Sequence, residues 1–285
     1  MSNILVIGGT GFIGSKLVVK LTNFGHNVWC HSSRNGNIID DDSLVQYAEK
    51  SITHVFHLAA KTFVPDSWES PREFFKVNTL GVIQALDFCR LNNCSFTYVS
   101  SYVYGSPNEL PISESHEVKS NNPYGASKEM AEIACKNYAN LFNVKTTIVR
   151  PFNIYGVGQN ENFLIPFIID QALKEDKIVL KDLSPKRDYL FAEDLIDGLV
   201  KSMNSELSYA IFNFGSGKSY SVREVVDTIQ EILGTSKEVV DLGQTRPNEI
   251  MDTVADVSRA KEQINWEPSH SLKEGLTKIV NSIKK

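Results

Sequence analysis

The sequence predicts an α/β fold: a doubly wound parallel sheet with a smaller, discontinuous C-terminal region. Over residues 1–153, short apolar runs that suit strands buried on both faces alternate with amphipathic, helix-like stretches. The first of these runs leads directly into a glycine-rich stretch at residues 8–14. Beyond Asn153 the alternation loosens, and polar loops separate the helical stretches. A chain of 285 residues is long enough for one large domain or for two that share a cleft.

The glycine-rich stretch, GGTGFIG, lies between an apolar run at residues 4–7 and a stretch with helical spacing of apolar residues at 12–24. Glycines allow the backbone to turn tightly and to approach a pyrophosphate, whose charge then lies at the N-terminus of the helix. Strand, glycine turn and helix in this order are typical of a dinucleotide-binding, or Rossmann, unit. We therefore expect Gly8, Gly11, Phe12 and Ile13 to bind a cofactor, rather than to form only a tight turn.

The later elements continue this pattern, with strands predicted at residues 27–30, 54–60, 96–100 and 146–151 and helices at 43–50, 71–92 and 124–142. Residues 38–39 are a candidate for a stunted extra strand. Further helices are predicted at 164–174, 222–233 and 272–283, with a return to the sheet region at 188–199 and 210–214. Residues 1–153 and 187–214 are expected to form the Rossmann domain. Residues 154–186 and 215–285 are expected to bind substrate over the C-terminal ends of the strands.

Composition narrows the range of partners. The net charge of -5, with no compensating basic block, argues against nucleic acid as a partner. No apolar run is long enough to span a bilayer, and Met1 leads almost directly into the first strand, which leaves no room for a signal peptide. The four cysteines lack a disulfide-scaffold density or a C-x-x-C spacing, and the histidines form no metal-binding set. A cytoplasmic protein without a metal site is expected.

Tyr124 and Lys128 are four residues apart and lie on one face at the start of a predicted helix. A free tyrosine has a pKa of about 10, too high for easy proton exchange at neutral pH. A lysine cation at about 4 Å would favour the phenolate and move the tyrosine pKa towards neutrality. Such a tyrosine can pass a proton to or from a substrate oxygen. The alternative is a surface pair placed together by chance.

Two hydroxyl groups, those of Ser100 and Ser101, lie at the end of the predicted strand at 96–100. The C-terminal strand end is where a doubly wound sheet keeps its active site, and a serine there can donate a hydrogen bond to a substrate oxygen. The alternative is that both serines are ordinary turn residues at a strand end.

These motifs belong to a longer series that runs in order along nearly the whole chain: GGTGFIG, HVFHLAA, FFKVNTLGV, VSSYVYG, NPYGASK, RPFNIYG, RDYLFAEDL, FNFGSGKSYSVREV and TRPNEIMDTVADVSRAKEQINWEP. In this series the sequence resembles the extended short-chain dehydrogenase/reductase family, which contains nucleotide-sugar epimerases, dehydratases and reductases. The resemblance implies that Ser100, Tyr124 and Lys128 form a catalytic triad and that Lys128 also holds the nicotinamide ribose.

The resemblance also implies roles for residues outside the triad. The cofactor would be lined by Leu58, Ala59, Ala60, Asn78 and Phe152. The substrate, a nucleotide-diphosphate sugar, would contact Ser101, Asn153, Arg187 and Arg246. Guanidinium groups bind phosphates through paired hydrogen bonds, which gives the two arginines a physical basis for holding the diphosphate. The family commonly forms a homodimer through the helices predicted here at 71–92 and 124–142, although both could simply cover the sheet.

The choice of cofactor depends on the end of the second strand. NAD enzymes usually have an acidic residue there, which binds the ribose 2'-hydroxyl. Alignment with the family pattern puts Ser32 at this position, and Arg34 comes two residues later. A hydroxyl and a guanidinium suit a 2'-phosphate, so we predict NADP, with NAD as the alternative. Asp40 is expected to contact the adenine.

The reaction type is indicated by the two residues after Ser100. Dehydratases of the family carry an Asp-Glu pair where this chain has Ser101 and Tyr102, and the epimerase-reductases that make GDP-fucose carry a cysteine in place of Tyr102. Two reactions remain. With NADP, the protein is predicted to reduce a nucleotide-linked 4-keto-6-deoxyhexose; with resident NAD, it would be a nucleotide-hexose 4-epimerase. A non-catalytic NADP-sensing regulator is less favoured, because such relatives commonly lose the Tyr/Lys pair.

Overall fold

The computed structural model describes residues 1–245 and 249–283. Its main element is a six-stranded parallel sheet. The strands are β1 (Asn3–Ile7), β2 (Asn27–His31), β3 (His54–His57), β4 (Ser95–Val99), β5 (Thr146–Pro151) and β9 (Tyr209–Phe214). They lie in the order β2-β1-β3-β4-β5-β9. Because the order reverses between β1 and β3, a crevice opens at the carboxyl ends of these strands, which is the general ligand-binding position in such sheets.

Helices cover both faces of this sheet, which confirms the predicted doubly wound fold. On one face, α1 (Phe12–Asn23) contacts α7 (Ala192–Met203), and Leu17 and Leu195 belong to the same buried cluster. On the other face, α4 (Gly81–Asn92) contacts α5 (Pro123–Phe142), and Leu86 and Ala131 share a second cluster. Apart from the edge strand β2, the strands are largely buried by both layers, which accounts for their mostly apolar sequences.

A second group of strands and helices follows β5 in the chain. The elements are β6 (Asn153–Tyr155), α6 (Leu164–Lys174), β7 (Lys177–Leu180), β8 (Lys186–Phe191), β10 (Ser219–Ser221), α8 (Val222–Leu233), β11 (Glu238–Asp241), α9 (Ser258–Ile264) and α10 (Leu272–Ile283). A three-stranded sheet has the order β10-β8-β6, and β11 pairs in parallel with β7. β9 returns to the six-stranded sheet, whereas β8 pairs with β6 and β10. The predicted division into two domains stays a prediction.

Three local expectations were wrong. Residues 188–191, expected to return to the sheet region, pair with β6 and β10 and not with the six-stranded sheet, which β9 rejoins. Residues 38–39 form a turn, not a strand, because the Asp40 N–H donates to the Asn37 carbonyl at 3.0 Å and closes the turn, and Ile38 is buried in the cluster beneath α4. The helix expected at 43–50 is a short 3₁₀ helix, Val45–Lys50.

The helix expected at 71–92 is confirmed as one continuous helical stretch, which consists of α3 (Pro71–Phe75), a π-helical turn at Lys76–Leu80 and α4, and a separate short helix, α2 (Val64–Glu69), precedes it. The described residues include no helix with the length and apolar character needed to cross a membrane.

Candidate active site

The glycine turn between β1 and α1 depends on glycine at two positions. Gly8 has φ +88°, and a methyl group added there would lie 2.6 Å from the backbone nitrogen of Ala59. A methyl group on Gly14 would lie 2.1 Å from the Gly8 carbonyl oxygen. The N-cap of α1 is Gly11, and no side chain caps this end of the helix. The turn therefore brings the positive end of the helix close to the crevice, as binding of a pyrophosphate requires.

A cavity of about 350 Å³ lies beside this turn, between the loops after β1, β2 and β3. Its lining consists of Gly8, Thr10, Gly11, His31, Ser32, Ser33, Gly36, Asn37, Ile38, Leu58, Ala59, Ala60 and Val77. Six of the predicted cofactor residues are therefore brought together: Gly8, Gly11, Ser32, Leu58, Ala59 and Ala60. Small residues, an uncapped helix end and a cavity of this size fit the phosphate and adenosine part of a dinucleotide.

The loop after β2 differs in detail from the expectation. The Ser32 hydroxyl donates to Asn35 Oδ1 at 3.0 Å, and the backbone N–H of Ser32 donates to the same oxygen at 3.1 Å. Arg34 and Asp40 are exposed and do not line the cavity, so their predicted contacts stay predictions. Asn37, which was not predicted, does line the cavity. Gly36 and Asn37 are residue types that favour turns, and this was the signal in the sequence that a loop, not another strand, follows β2.

The first turn of α5 places the predicted catalytic residues at the end of β4. Asn122 Oδ1 caps this helix by accepting a hydrogen bond of 2.8 Å from the N–H of Gly125. Lys128 is buried, and its Nζ donates to the Val99 carbonyl oxygen at 2.8 Å. The same Nζ lies 4.8 Å from the centroid of the Tyr98 ring. Burial lowers the pKa of Lys128 to about 7, against the opposing effect of the Glu132 carboxylate.

Tyr124 is half-buried, and the shift of its pKa is opposite to the one expected from the sequence. Burial raises the pKa of the Tyr124 phenol, and the nearby Ser101 hydroxyl acts in the opposite direction. The predicted lowering of the Tyr124 pKa by Lys128 is not found, because the ammonium group is directed at the Val99 carbonyl. The helix does bring Tyr124, Lys128 and the two serines to one strand end.

The hydroxyl of Ser100 contacts a residue that the sequence motifs did not single out. Ser100 Oγ donates to Glu132 Oε1 at 2.6 Å. Glu132 forms a buried ion pair with Arg150 on β5, in which Arg150 Nε lies 3.0 Å and 3.2 Å from the two carboxylate oxygens. Arg150 Nη1 also donates to Tyr104 Oη at 2.9 Å, and Tyr104 Oη donates to Asn213 Oδ1 at 2.5 Å. The signal for Glu132 was its position four residues after Lys128, on the same helix face.

Asn78 joins two segments of the active site. Its Oδ1 accepts from the N–H of Lys61 at 2.8 Å, and its Nδ2 donates to the Lys61 carbonyl at 3.0 Å and to Ser127 Oγ at 2.9 Å. Both amide hydrogens are thus used within the protein. Asn78 lies in the π-helical turn, which directs this side chain towards α5. Its geometry is that of a bridge between the loop after β3 and the helix that carries Tyr124.

The predicted substrate side is lined by aromatic residues. Phe152 is buried and lies 5.2 Å from Tyr102 between ring centroids. The Tyr102 hydroxyl donates to the Gly105 carbonyl. Asn153 Nδ2 donates to the Asp188 carbonyl at 3.3 Å, which attaches β6 to β8. A tyrosine whose hydroxyl is bound to the backbone therefore occupies the position where the family's dehydratases carry an acid.

Arg187, at the start of β8, has partners of its own. Its Nη2 forms an ion pair with Glu249, and its Nη1 donates to the Ile250 carbonyl at 2.5 Å. The Arg187 side chain is 20% exposed. The second predicted phosphate ligand, Arg246, lies outside the described residues.

Comparison with known proteins identifies the family of this chain. The NAD dependent epimerase/dehydratase family matches residues 4–215. The chain is 30% identical to the UDP-glucose 4-epimerase of Mycolicibacterium smegmatis, over 97% of this chain and 96% of that protein. It is 27% identical to the GDP-6-deoxy-D-mannose reductase of Pseudomonas aeruginosa, over 98% of this chain and 96% of that one.

Solved structures show the same fold. A UDP-glucose 4-epimerase from Thermotoga maritima, solved with UDP-glucose, has a TM-score of 0.93 and 27% identity over 99% of this chain and 98% of that one. RMD from Pseudomonas aeruginosa, solved with NADPH, has a TM-score of 0.91 and 26% identity over 99% and 98%. The resemblance seen in the sequence is confirmed: this chain belongs to the NAD dependent epimerase/dehydratase family of extended short-chain dehydrogenases/reductases.

Proposed function

We propose that the protein is a cytoplasmic, NADPH-dependent reductase that acts on a nucleotide-linked 4-keto-6-deoxyhexose. The observation that carries this proposal is the cavity at the end of β2, whose lining, among the described residues, includes no aspartate or glutamate. A carboxylate at this point would bind a free ribose 2'-hydroxyl and repel a 2'-phosphate. Ser32 and Ser33 line the cavity instead, and the exposed Arg34 belongs to the same turn. A net reduction consumes one NADPH in each turnover, so it requires a coenzyme that leaves the site and is replaced.

The active-site residues support proton transfer to a new alkoxide. The bound nicotinamide would supply the hydride that reduces the C4 carbonyl of the sugar. Tyr124, whose pKa is raised by burial, is a neutral phenol at physiological pH and would donate its proton to the oxygen. Lys128, whose Nζ donates to the Val99 carbonyl, would bind the nicotinamide ribose. A serine hydroxyl at the end of β4 would donate a hydrogen bond to the same oxygen as negative charge develops there.

The substrate's diphosphate is assigned to Arg187 and Arg246. The Arg187 guanidinium already pairs with one carboxylate, that of Glu249, and a guanidinium can bind the oxyanions of a diphosphate in the same way. The similarity to a GDP-6-deoxy-D-mannose reductase and to a UDP-glucose 4-epimerase supports this class of substrate. Phe152 and Asn153 would lie between the cofactor and the sugar.

A nucleotide-hexose 4-epimerase with resident NAD is the second candidate. It is favoured by the similarity to UDP-glucose 4-epimerases in both sequence and structure. The epimerase would use the same Tyr124 and Lys128, first to oxidise C4 and then to reduce it on the other face. A purely NADP-sensing regulator would not need these two residues at the end of β4, where both are found.

Two assays separate these functions. The first mixes the protein with NADPH and the 4-keto-6-deoxy sugars of GDP, UDP or dTDP, and follows absorbance at the NADPH band together with product NMR. The second mixes it with UDP-glucose or UDP-galactose without added coenzyme. Stoichiometric NADPH consumption in the first assay is expected. Interconversion in the second assay, with no consumption in the first, would establish the epimerase instead.

We also propose a homodimer that is formed by the exposed side of α4 and α5. Several large apolar side chains on and beside these helices are about half exposed or more: Leu80, Leu91, Met130, Ile133 and Leu141. Several large exposed apolar side chains on one pair of contacting helices favour association with a second copy of the chain, which would bury them.

A further inference from the structure

We infer that Phe63 and Phe163 form an apolar wall of the sugar-binding site and make the site selective for a hexose that lacks a hydroxyl group at C6. The inference rests on the proposed function, because it assigns the residues that recognise the 6-deoxy carbon of that substrate. It concerns where the hexose binds, so it can be tested separately from the question of reduction or epimerisation.

The two phenylalanine rings connect segments that are distant in the chain. Phe63 is the N-cap of α2, in the segment after β3, and Phe163 is the N-cap of α6, in the segment after β6. Their ring centroids lie 6.3 Å apart and the ring planes are inclined by 75°, the edge-to-face arrangement that aromatic rings favour. This aromatic pair therefore joins the segment that follows a strand of the six-stranded sheet to the second group of strands and helices.

The order of the strands places the aromatic pair above the end of β4. β4 lies between β3 and β5 in the sheet. Phe63 follows β3 and Phe163 comes after β5 and β6, so a contact between the two rings crosses the carboxyl end of β4. Lys128 Nζ binds the last carbonyl of this strand, and Tyr124 lies one turn earlier on the same helix. α2, which begins directly after Phe63, also contacts this helix, α5.

The aromatic pair offers a ligand apolar surface and no hydrogen-bonding group. Phe63 is 37% exposed, and Val64, the next residue, is a further exposed apolar side chain. Burial of such surface against a ligand is favourable. In a pyranose, C6 is joined to C4 through C5 alone, so a sugar whose C4 lies beside Tyr124 has C6 near the same strand end.

The group at C6 decides how well the sugar fits this wall. A methyl group would pack against the two rings and leave water. A hydroxymethyl group would lose its hydrogen bonds to water and find no partner on either phenyl ring, which is costly. The aromatic pair therefore favours a 6-deoxyhexose over the hexose that differs from it only by the C6 hydroxyl group.

The experiment uses pairs of nucleotide sugars that differ only at C6. The probes are UDP-glucose with UDP-6-deoxyglucose, GDP-mannose with GDP-6-deoxymannose, and dTDP-glucose with dTDP-6-deoxyglucose. Each is titrated by calorimetry into the protein in the presence of NADPH, which finds no ketone to reduce in these sugars. We expect the wild type to bind the 6-deoxy member of at least one pair about 10- to 100-fold more tightly, the range in which an apolar pocket discriminates such groups.

Serine variants of the two phenylalanines test the wall directly. Serine is a preferred N-cap residue, and neither Phe63 nor Phe163 makes a side-chain hydrogen bond at its N-cap, so Phe63→Ser and Phe163→Ser should fold. Each variant removes a ring and adds a hydroxyl group, so the preference for the 6-deoxy sugar should fall to less than about threefold. Phe63→Leu keeps an apolar contact and should retain most of the preference. Phe24→Ser, at the exposed end of α1, is the matched control and should equal the wild type.

Equal affinity of the wild type for both members of every pair that binds would overturn the inference, and so would an unchanged preference in either Phe63→Ser or Phe163→Ser. NADPH consumption with a 4-keto-6-deoxy sugar, together with such an unchanged preference, would leave the proposed function standing and remove only this inference. A wild type that epimerises without consuming NADPH would reject the reductase, yet the same titrations would still decide the role of the aromatic pair. Failure of all three pairs to bind would reject both.

Discussion

Among single residues, Tyr124 tests the chemistry most directly. Tyr124→Phe removes only the phenolic oxygen, so we expect kcat to fall by about 10²- to 10⁴-fold, the range for general acid catalysis, while NADPH binding is retained. Turnover and coenzyme fluorescence measure the two effects. Tyr138→Phe, on the same helix but far from the end of β4, is the matched control and should remain active. Near-normal turnover of folded Tyr124→Phe would rule out its role as proton donor.

Arg34 tests the choice of coenzyme. Its guanidinium is exposed beside a cavity that has no lining carboxylate among the described residues, and there it would form a charge-assisted bond with the 2'-phosphate. Arg34→Ala should weaken NADPH binding by roughly 10- to 150-fold and NADH binding far less. Arg72→Ala, an exposed arginine on α3, is the control.

Ser32→Asp should go further than Arg34→Ala, since a carboxylate would attract the free ribose and repel the phosphate. Titration of both coenzymes by fluorescence gives the affinities. A wild type that prefers NADH, or an equal loss of both coenzymes in Arg34→Ala, would contradict the NADP assignment and favour the epimerase.

Lys128 should leave a signature in the pH dependence of stability. Burial lowers its pKa from 10.5 to about 7. Between these values the unfolded chain holds a proton that the folded chain has lost, so the free energy of unfolding rises with pH across this window. The contribution has a slope of at most about 1.4 kcal/mol per pH unit.

Lys128→Met removes this group, so its stability should rise less steeply with pH than that of the wild type. Urea unfolding between pH 7 and pH 9.5 (values chosen to fall roughly within that window) gives the difference between the two proteins. Lys136→Met, an exposed lysine on the same helix, should follow the wild-type curve. Parallel curves for Lys128→Met and the wild type would show that Lys128 keeps its ordinary pKa.

Between secondary-structure elements, the Glu132–Arg150 pair holds α5 to β5. Removing one partner from a buried ion pair leaves an uncompensated charge, so Arg150→Met should lower the free energy of unfolding by about 3–5 kcal/mol. Arg223→Met, which breaks the exposed pair with Asp227 on α8, should cost far less. Equilibrium denaturation of both variants measures the two losses in the free energy of unfolding. Equal losses would mean that the buried pair stabilises the protein no more than the exposed pair does.

For the molecule as a whole, the proposed dimer depends on the exposed apolar side of α4 and α5. Ile133→Glu places a charge within that surface, where it would lose its water on association, so this variant should be monomeric at micromolar concentration. Light scattering coupled to gel filtration measures the mass. Val19→Glu introduces the same charge on the exposed side of α1 and should leave the mass unchanged. A monomeric wild type would reject the dimer.

Features that depend on near neighbours in the chain could be predicted from the amino-acid sequence. The turn at Gly8 results from glycine's freedom at positive φ, and the strand and helix on either side result from apolar spacing. Tyr124 and Lys128 share a helix face because they are four residues apart. The position of this face at the end of β4 is explained by the general geometry of parallel sheets.

The directions of the polar groups, in contrast, were set by tertiary packing. Ser100 and Ser101 are adjacent and chemically identical, yet one is bound to Glu132 and the other faces Tyr124. The partners of Glu132 and Asn78 lie 17 to 49 residues away along the chain, so no local pattern identifies them. The Tyr124 phenol and the Lys128 ammonium also owe their pKa shifts to burial, which is a property of the packed molecule. Hydrogen bonding and desolvation depend on which groups lie close together in space. Those distances are fixed only when distant segments of the chain have packed against each other.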